Sequence, residues 1–208
     1  RKEGKAQPWT QKVKQVLADY IAAGRDLDTI PVNEFYAPSQ IDFTHGGYIC
    51  VDGLYYAYLL VPSTGYKTQV PAGWLSLLVN AGDGIDMDLF LTRQPKDRMV
   101  RKLGQQLRIN RSKIRETSDT NTDFDDLDGA IRSGYFLKDG LGNNEDFYYL
   151  NLLVTVTAEN VEDLEWKVAE LKKLMLSQDM DVQTCSFCQE QAFLSSMPLV
   201  SLERHLYE

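Results

Sequence analysis

Cys185 and Cys188 have the C-x-x-C spacing of redox-active dithiols and of half a zinc site. Thiol reactivity of this kind requires a lowered pKa, which the N-terminus of a helix commonly supplies. Here the two cysteines fall in an apparent strand over 181–189, where side chains three residues apart point to opposite faces. The sequence has no second C-x-x-C, and His45 and His205 are distant in the chain. We therefore predict core or surface cysteines.

The segment 119–123 (Asp-Thr-Asn-Thr-Asp) begins with the alternating oxygen ligands of a calcium-binding loop. Such a loop has glycine at its sixth position and glutamate at its twelfth, but here these are Phe124 and Ala130. The sharp turn and the bidentate ligand are both lost. The pattern instead favours the acidic start of a helix over 124–138, because the helix dipole stabilises negative charge there.

Residues 63–68 (Ser-Thr-Gly-Tyr-Lys-Thr) resemble a phosphate-binding loop, but a tyrosine separates the glycine from the lysine. The earlier glycine of that motif is replaced by Leu60. A turn between strands is the favoured interpretation. The glycines of 140–142 precede a predicted strand, whereas the glycine-rich loop of a dinucleotide site follows one.

Nucleophilic catalysis requires a base beside the serine or cysteine, and the chain has two histidines, His45 and His205. A triad is possible on this count, but nothing in the spacing supports one. Paired carboxylates are abundant and carry little information in an acidic chain. We therefore predict no catalytic, cofactor-binding or metal-ligating residue, no cofactor, and a chain that is not itself an enzyme.

The composition of these 208 residues is that of a globular protein, with 43% apolar and 25% charged residues. It excludes a disordered tail, a collagen and a disulfide scaffold. Acidic residues outnumber basic ones by 30 to 22, so nucleic-acid binding would need a local basic patch. Three cysteines favour a reducing, cytoplasmic setting, and no apolar run reaches the roughly 18 residues that cross a bilayer. The polar start and the absence of an initial Met predict a processed chain or a piece of a longer protein.

The predicted helix over 96–115 has a net charge of +7, and the following segment 116–128 has a net charge of −6. Three partners would suit the helix: an anionic membrane surface, a nucleic acid or an acidic protein. The alternative is a solvated face that the acidic segment neutralises. Its basic residues are Lys96, Arg98, Arg101, Lys102, Arg108, Arg111, Lys113 and Arg115.

Both helices and strands are predicted before and after this basic helix. Apolar residues at helical spacing predict a helix at the start of the chain that ends near Gly24, followed by an irregular stretch over 25–46. Strands over 47–51 and 54–61 are joined by Asp52-Gly53, a strong hairpin signal. A third strand over 66–70 and a short helix over 74–79 follow.

The second half alternates strand, helix, helix, strand, helix and strand, with the clearest strands over 85–91 and 147–157. An extended tail through Pro198 closes the chain. We predict an α+β fold in which N-terminal antiparallel hairpin strands join a ferredoxin-like layer of sheet and packed helices. Three units are expected: a helix and irregular wrap over 1–46, a small strand subdomain over 47–82 and the ferredoxin-like subdomain over 83–208.

Several segments, in this order along the chain, resemble one family. The set resembles the N-terminal region of the VirB/TraC-type ATPases of conjugative type IV secretion systems, in the form found in Gram-positive conjugative elements. The segments are Gly47-Tyr-Ile-Cys-Val-Asp-Gly-Leu-Tyr-Tyr56, Val70-Pro-Ala-Gly-Trp-Leu75, Gly84-Ile-Asp-Met-Asp-Leu-Phe90, Asp123-Phe-Asp-Asp126, Asn144-Glu-Asp-Phe-Tyr-Tyr149, Gln189-Glu-Gln-Ala-Phe-Leu-Ser195 and Met197-Pro-Leu199.

In that family this region precedes a motor that binds ATP and magnesium, and neither Walker motif occurs in these 208 residues. The resemblance implies a non-catalytic domain that docks the motor to inner-membrane channel components and to other copies of the ATPase, at the cytoplasmic face of the membrane. No direct nucleic-acid contact is expected. The candidate contact surfaces are the basic helix and the tyrosines of the predicted β-hairpin, Tyr48, Tyr55, Tyr56 and Tyr58. The alternative is that these tyrosines belong to the core.

Two other hypotheses remain at this point. The chain could be a stand-alone adaptor that binds a protein partner. Less favoured is a small enzyme whose site is assembled from scattered residues, for which a pocket containing His45 and a strongly perturbed carboxylate would be the sign.

Overall fold

The computed structural model describes residues 8–67, 70, 72–116, 122–199 and 201–206. They form an α+β fold, as predicted. Short 3₁₀ turns lie at Leu27–Thr29 and Arg204–Leu206. The other elements, in chain order, are α1 (Pro8–Ala22), α2 (Asn33–Tyr36), β1 (Ile41–Asp42), β2 (Ile49–Val51), β3 (Leu54–Val61), α3 (Ser76–Val79), β4 (Ile85–Gln94), α4 (Lys96–Glu116), α5 (Thr122–Gly142), β5 (Phe147–Ala158), α6 (Val161–Ser177), β6 (Gln183–Thr184) and α7 (Gln189–Ser196).

One antiparallel sheet contains all of these strands, in the order β1-β2-β3-β5-β4. β2 and β6 pair with the same edge of β3. β2 occupies the start of that edge, and β6 pairs further along it, at Leu59 and Leu60. The path β3-α3-β4, then β5-α6-β6, gives the order β6-β3-β5-β4. This is the split βαβ arrangement of a ferredoxin-like layer, with α4 and α5 inserted between β4 and β5.

The first strand of that layer is β3, which precedes the predicted unit boundary after residue 82. β3 pairs with β5 over seven consecutive residue pairs, from Tyr55 opposite Ala158 to Val61 opposite Leu152. The division into three units stays a prediction. The sheet itself is continuous across residue 82.

Asp52 fixes the hairpin between β2 and β3. Asp52 and Gly53 have φ values of 48° and 84°, as the predicted two-residue turn requires. The Asp52 carboxylate accepts hydrogen bonds from the backbone N–H groups of Ser39 and Gln40, at 2.9 and 3.0 Å, and pairs with Lys12 of α1 at 3.3 Å. One side chain therefore ties the N-terminal helix and the irregular stretch to the sheet.

One face of the sheet is covered by α6 and α3. The apolar residues of α6 recur at helical spacing, and Asn160 caps its N-terminus by accepting from the Asp163 N–H at 2.8 Å. Leu78 of α3 completes this cover. The largest fully buried side chains here include Leu59, Val61, Leu152, Val154, Leu164 and Met175.

The opposite face is covered by α7 and the final 3₁₀ turn, which bury Tyr58, Leu60 and Leu153 against Ala192 and Leu206. The predicted strand over 181–189 is confirmed only at Gln183–Thr184, which form β6. The predicted extended tail is wrong, because α7 occupies Gln189–Ser196. The helix α7 has eight residues, too few to display a periodic apolar stripe in the sequence.

Three smaller predictions are also corrected. α5 continues to Gly142, past the predicted end at 138. Tyr66, Lys67 and Val70 are not in a strand, whereas Thr68 and Gln69 lie outside the described residues. The Tyr66 ring packs edge-on against Trp74 at 5.5 Å, and its hydroxyl donates to the Val61 carbonyl oxygen at 3.2 Å, so this segment folds inward. The irregular stretch contains α2 and β1.

Candidate functional site

The basic helix is one arm of a helical hairpin formed by α4 and α5. Each helix has 21 residues, which corresponds to a length of about 31 Å at 1.5 Å per residue. They approach closely at Gly134, where an added Cβ would lie 2.8 Å from Leu107 Cδ2. Within α4, Met99, Leu107 and Asn110 are buried, so one stripe is apolar and the remaining surface carries the charge.

The base of the hairpin is tied to the sheet by two of the eight predicted cations. Lys102 Nζ donates to the Tyr149 hydroxyl at 3.0 Å and lies 5.6 Å from the centre of the same ring. Lys96 Nζ donates to Asn144 Oδ1 at 3.1 Å. These two lysines therefore have structural partners in or beside β5.

Other cations converge in a groove of about 630 Å³ between the two helices, which we call the hairpin groove. Arg111 donates to the Tyr135 hydroxyl at 3.0 Å within it. Among the described residues, no carboxylate lines the groove. Its walls are formed by Val100, Arg101, Gly104, Gln105, Leu107, Arg108 and Arg111 of α4 and by Tyr135 and Lys138 of α5.

The acidic segment does not neutralise these arginines by direct pairing in the part of the chain that is described. No ion pair joins Arg101, Arg108 or Arg111 to an Asp or Glu there, and Asp128 instead pairs with Arg132 at 2.6 Å. The Lys138 cation, which the sequence interpretation had not connected with the basic helix, joins the groove from α5. No helix-by-helix charge count would find it, because the grouping depends on how the two helices pack.

Exposed apolar side chains accompany the charges on the same hairpin. Phe136 is 76% exposed, and its neighbours Tyr135 and Leu137 are also exposed, as is Ile109 on α4. A surface that combines cations with exposed aromatic and aliphatic groups is typical of contact regions.

The tyrosines of the β2–β3 hairpin belong mainly to the core. Tyr58 is only 1% exposed, and burial raises its pKa far above the usual value for a phenol. Tyr48 and Tyr55 meet edge-on at 5.7 Å and pack against the core below α6. Tyr56 is half-buried on the opposite face. The core interpretation is confirmed for Tyr58, and its use as a contact surface is wrong.

The two cysteines lie on one side of the sheet, contrary to the expectation of opposite faces. Cys185 follows β6, where its N–H donates to the Tyr58 carbonyl oxygen at 3.0 Å, and Cys188 immediately precedes α7. Both belong to the cluster beneath α7. Burial, followed by the neighbouring Cys188, raises the pKa of the Cys185 thiol to about 12. Cys185 is thus a protonated core residue at neutral pH, as predicted.

The structure describes parts of the phosphate-loop-like and calcium-loop-like segments. Residues Ser63–Gly65 form a turn in which the Gly65 N–H donates to the Pro62 carbonyl oxygen at 2.8 Å. Most of the calcium-like segment lies outside the described residues, as do the side chains of Thr122, Asp123 and His205. Within the described part, no three His, Cys, Asp or Glu side chains are placed to hold a metal ion.

His45 stacks on the Tyr48 ring at 4.5 Å. Asp42 is close enough to interact with it. The pKa of Asp42 is lowered, mainly by hydrogen bonds from Thr44 and less by His45.

Two carboxylates of β4, Asp86 and Asp88, alternate with apolar residues along the strand. Asp86 lies opposite Thr155, and Asp88 lies opposite Leu153, on the face that α7 covers further along. Burial and then the charge of Asp86 raise the pKa of Asp88. The Thr155 hydroxyl is buried and has no hydrogen-bond partner among the described residues. The alternating Asp-Met-Asp pattern was the signal for this pair, but its partial burial depends on neighbouring strands.

The sequence matches no protein-family model, and a search of curated proteins likewise found no match. Among the described helices, none has both the length and the apolar character needed to cross a membrane.

Proposed function

We propose that this chain is the non-catalytic N-terminal domain of a conjugative type IV secretion ATPase, and that it docks the motor to inner-membrane channel components and to neighbouring subunits. Its position would be peripheral, at the cytoplasmic face of the membrane. ATP and magnesium would bind only in the motor. The proposal starts from the ordered segments that resemble the family.

Four of those segments occupy connected parts of one layer, which supports treating them as a set, whereas Asp123–Asp126 belongs to α5 of the inserted hairpin. Gly47–Tyr56 spans β2, the turn and the start of β3, whereas Gly84–Phe90 belongs mainly to β4. Asn144–Tyr149 leads into β5, and Gln189–Ser195 forms most of α7. β3, β5 and β4 are adjacent, and α7 covers one face of β3.

The observation that carries the docking role is the α4–α5 hairpin. It is inserted between two adjacent antiparallel strands, which a short turn could otherwise join. Its cations and exposed apolar groups form no part of the sheet core. An insertion of this kind suits contact with a partner, because it adds surface without altering the layer that supports it.

The coding sequence provides the first test. We expect the reading frame that contains these residues to continue into a Walker loop and a RecA-like motor. A stop codon directly after Glu208 would contradict the proposal and favour the stand-alone adaptor.

ATP hydrolysis by the purified chain provides the second test. We expect no phosphate release above that of buffer, measured with magnesium present and with the complete ATPase as the positive control. Turnover that survives a second purification and depends on the chain would contradict the non-catalytic assignment.

A further inference from the structure

The hairpin groove brings like charges together from two different helices. Arg101, Arg108 and Arg111 project from α4 and Lys138 from α5 into the same space. Bringing cations together costs free energy unless an anion offsets it. Among the described residues, none of the three arginines has a carboxylate partner.

The donors in the groove match the chemistry of a phosphate group. Guanidinium groups present forked N–H donors to phosphate oxygens, and a lysine adds a compact positive charge. The Tyr135 hydroxyl, held by Arg111 at 3.0 Å, gives a further polar group. Gly104 keeps the wall open, since an added Cβ would meet nothing within 4 Å.

We propose that the hairpin groove is a binding site for the phosphate groups of an anionic ligand, either a phospholipid headgroup or a soluble polyphosphate. The inference deepens the docking role of the hairpin and rests on that part of the proposed function. It does not depend on the presence of an ATPase motor.

The dimensions favour a compact ligand over a nucleic acid. Arg101 and Arg111 are ten positions apart in α4, which is about 15 Å along the helix. Proteins that bind duplex DNA commonly contact roughly 6–10 phosphates, which lie along a path longer than this groove.

Two probes distinguish the sources of phosphate. Inorganic tripolyphosphate is titrated into the whole chain by calorimetry, and sedimentation measures binding to phosphatidylglycerol vesicles, with phosphatidylcholine vesicles as the neutral comparison. We expect saturable binding of at least one anionic probe, weakened by added salt. The probe that binds identifies the source, and failure of both overturns the proposal.

A pair of matched variants tests the location. Arg101→Gln with Arg108→Gln removes two groove cations, whereas Arg98→Gln with Arg115→Gln removes two exposed cations of α4 outside the groove. We expect about a tenfold loss of affinity in the first and less than about twofold in the second. Equal losses would show a general charge effect and overturn the site.

Gly104→Glu keeps the test decisive if the arginine variant folds poorly. The position has room for a side chain and lies within a helix, so folding should be retained, which circular dichroism checks. The new carboxylate should abolish binding, whereas Gly104→Ala should preserve it. Retained binding in Gly104→Glu overturns the site. Duplex DNA that binds more strongly than both phosphate probes, and is equally sensitive to these variants, also overturns it. Any such failure, with a Walker loop still encoded downstream, would leave the ATPase assignment intact.

Discussion

Asp52 combines a backbone role and an electrostatic role in one residue. Its φ of 48° lies in a region that Asp, Asn and Gly tolerate better than other residues. Burial alone would raise its pKa, but the hydrogen bonds from Ser39 and Gln40 and the Lys12 ammonium together hold that pKa below the usual range. The carboxylate therefore stabilises the fold only while it is ionised.

Replacement of Asp52 should separate these roles. Asp52→Asn retains the turn conformation but loses the charge, and we expect a loss of about 1 kcal/mol at pH 7. Asp52→Ala loses both, and we expect about 2 kcal/mol. Urea unfolding followed by circular dichroism measures both values. Equal effects of the two substitutions would contradict the backbone role.

The pH dependence of the same residue has a definite sign. Because the pKa is lower in the folded state, the stabilisation is complete above roughly pH 4, where an unfolded aspartate is ionised. It is lost as the pH falls through the lower pKa of the folded state. The free energies of unfolding of wild type and Asp52→Asn should therefore converge below that pH.

At the scale of elements, prediction succeeded where one element carries its own pattern. Alternating residues predicted β4 and β5, heptad-like spacing predicted α4 and α6, and Asp52-Gly53 predicted the β2–β3 turn. It failed for α7 and for the site formed between α4 and α5. A short helix with few buried residues, and a groove lined from two helices, are determined by tertiary packing.

The close approach of α4 and α5 leads to a prediction about two glycines of α5. Gly134→Val places methyl groups where Leu107 already lies, and we expect a loss of about 1–3 kcal/mol from overpacking. Gly129→Ala meets nothing within 4 Å and should gain about 0.5–1 kcal/mol from helix propensity. Thermal unfolding compares them. Equal stability of the two variants would contradict the packing described at Gly134.

At the scale of the whole molecule, the sheet and the α4–α5 hairpin are separate parts of the structure. Gln94 and Phe147 lie directly opposite each other in β4 and β5, although the whole hairpin separates them in sequence. The ferredoxin-like layer was predictable from the order of strands and helices, whereas the membership of β3 in that layer was not. Long-range pairing of β3 with β5 leaves no local mark in either strand.

Removal of residues 95–146 and insertion of Asn-Gly between Gln94 and Phe147 should therefore yield a folded protein. The two residues can form a tight turn that matches the existing register. We expect a cooperative thermal transition together with complete loss of phosphate binding. A non-cooperative transition would show that the hairpin is required for the sheet to fold.

β4 lies at the outer edge of the sheet, and Asp86 and Asp88 alternate along it with apolar residues. An edge strand of ten residues presents unpaired backbone groups to any similar strand in another molecule. Two molecules that met along β4 would also bring their aspartates together, and repulsion between them opposes growth of an endless sheet. These acidic residues thus oppose edge-to-edge pairing, which lets the sheet keep β4 as an open edge.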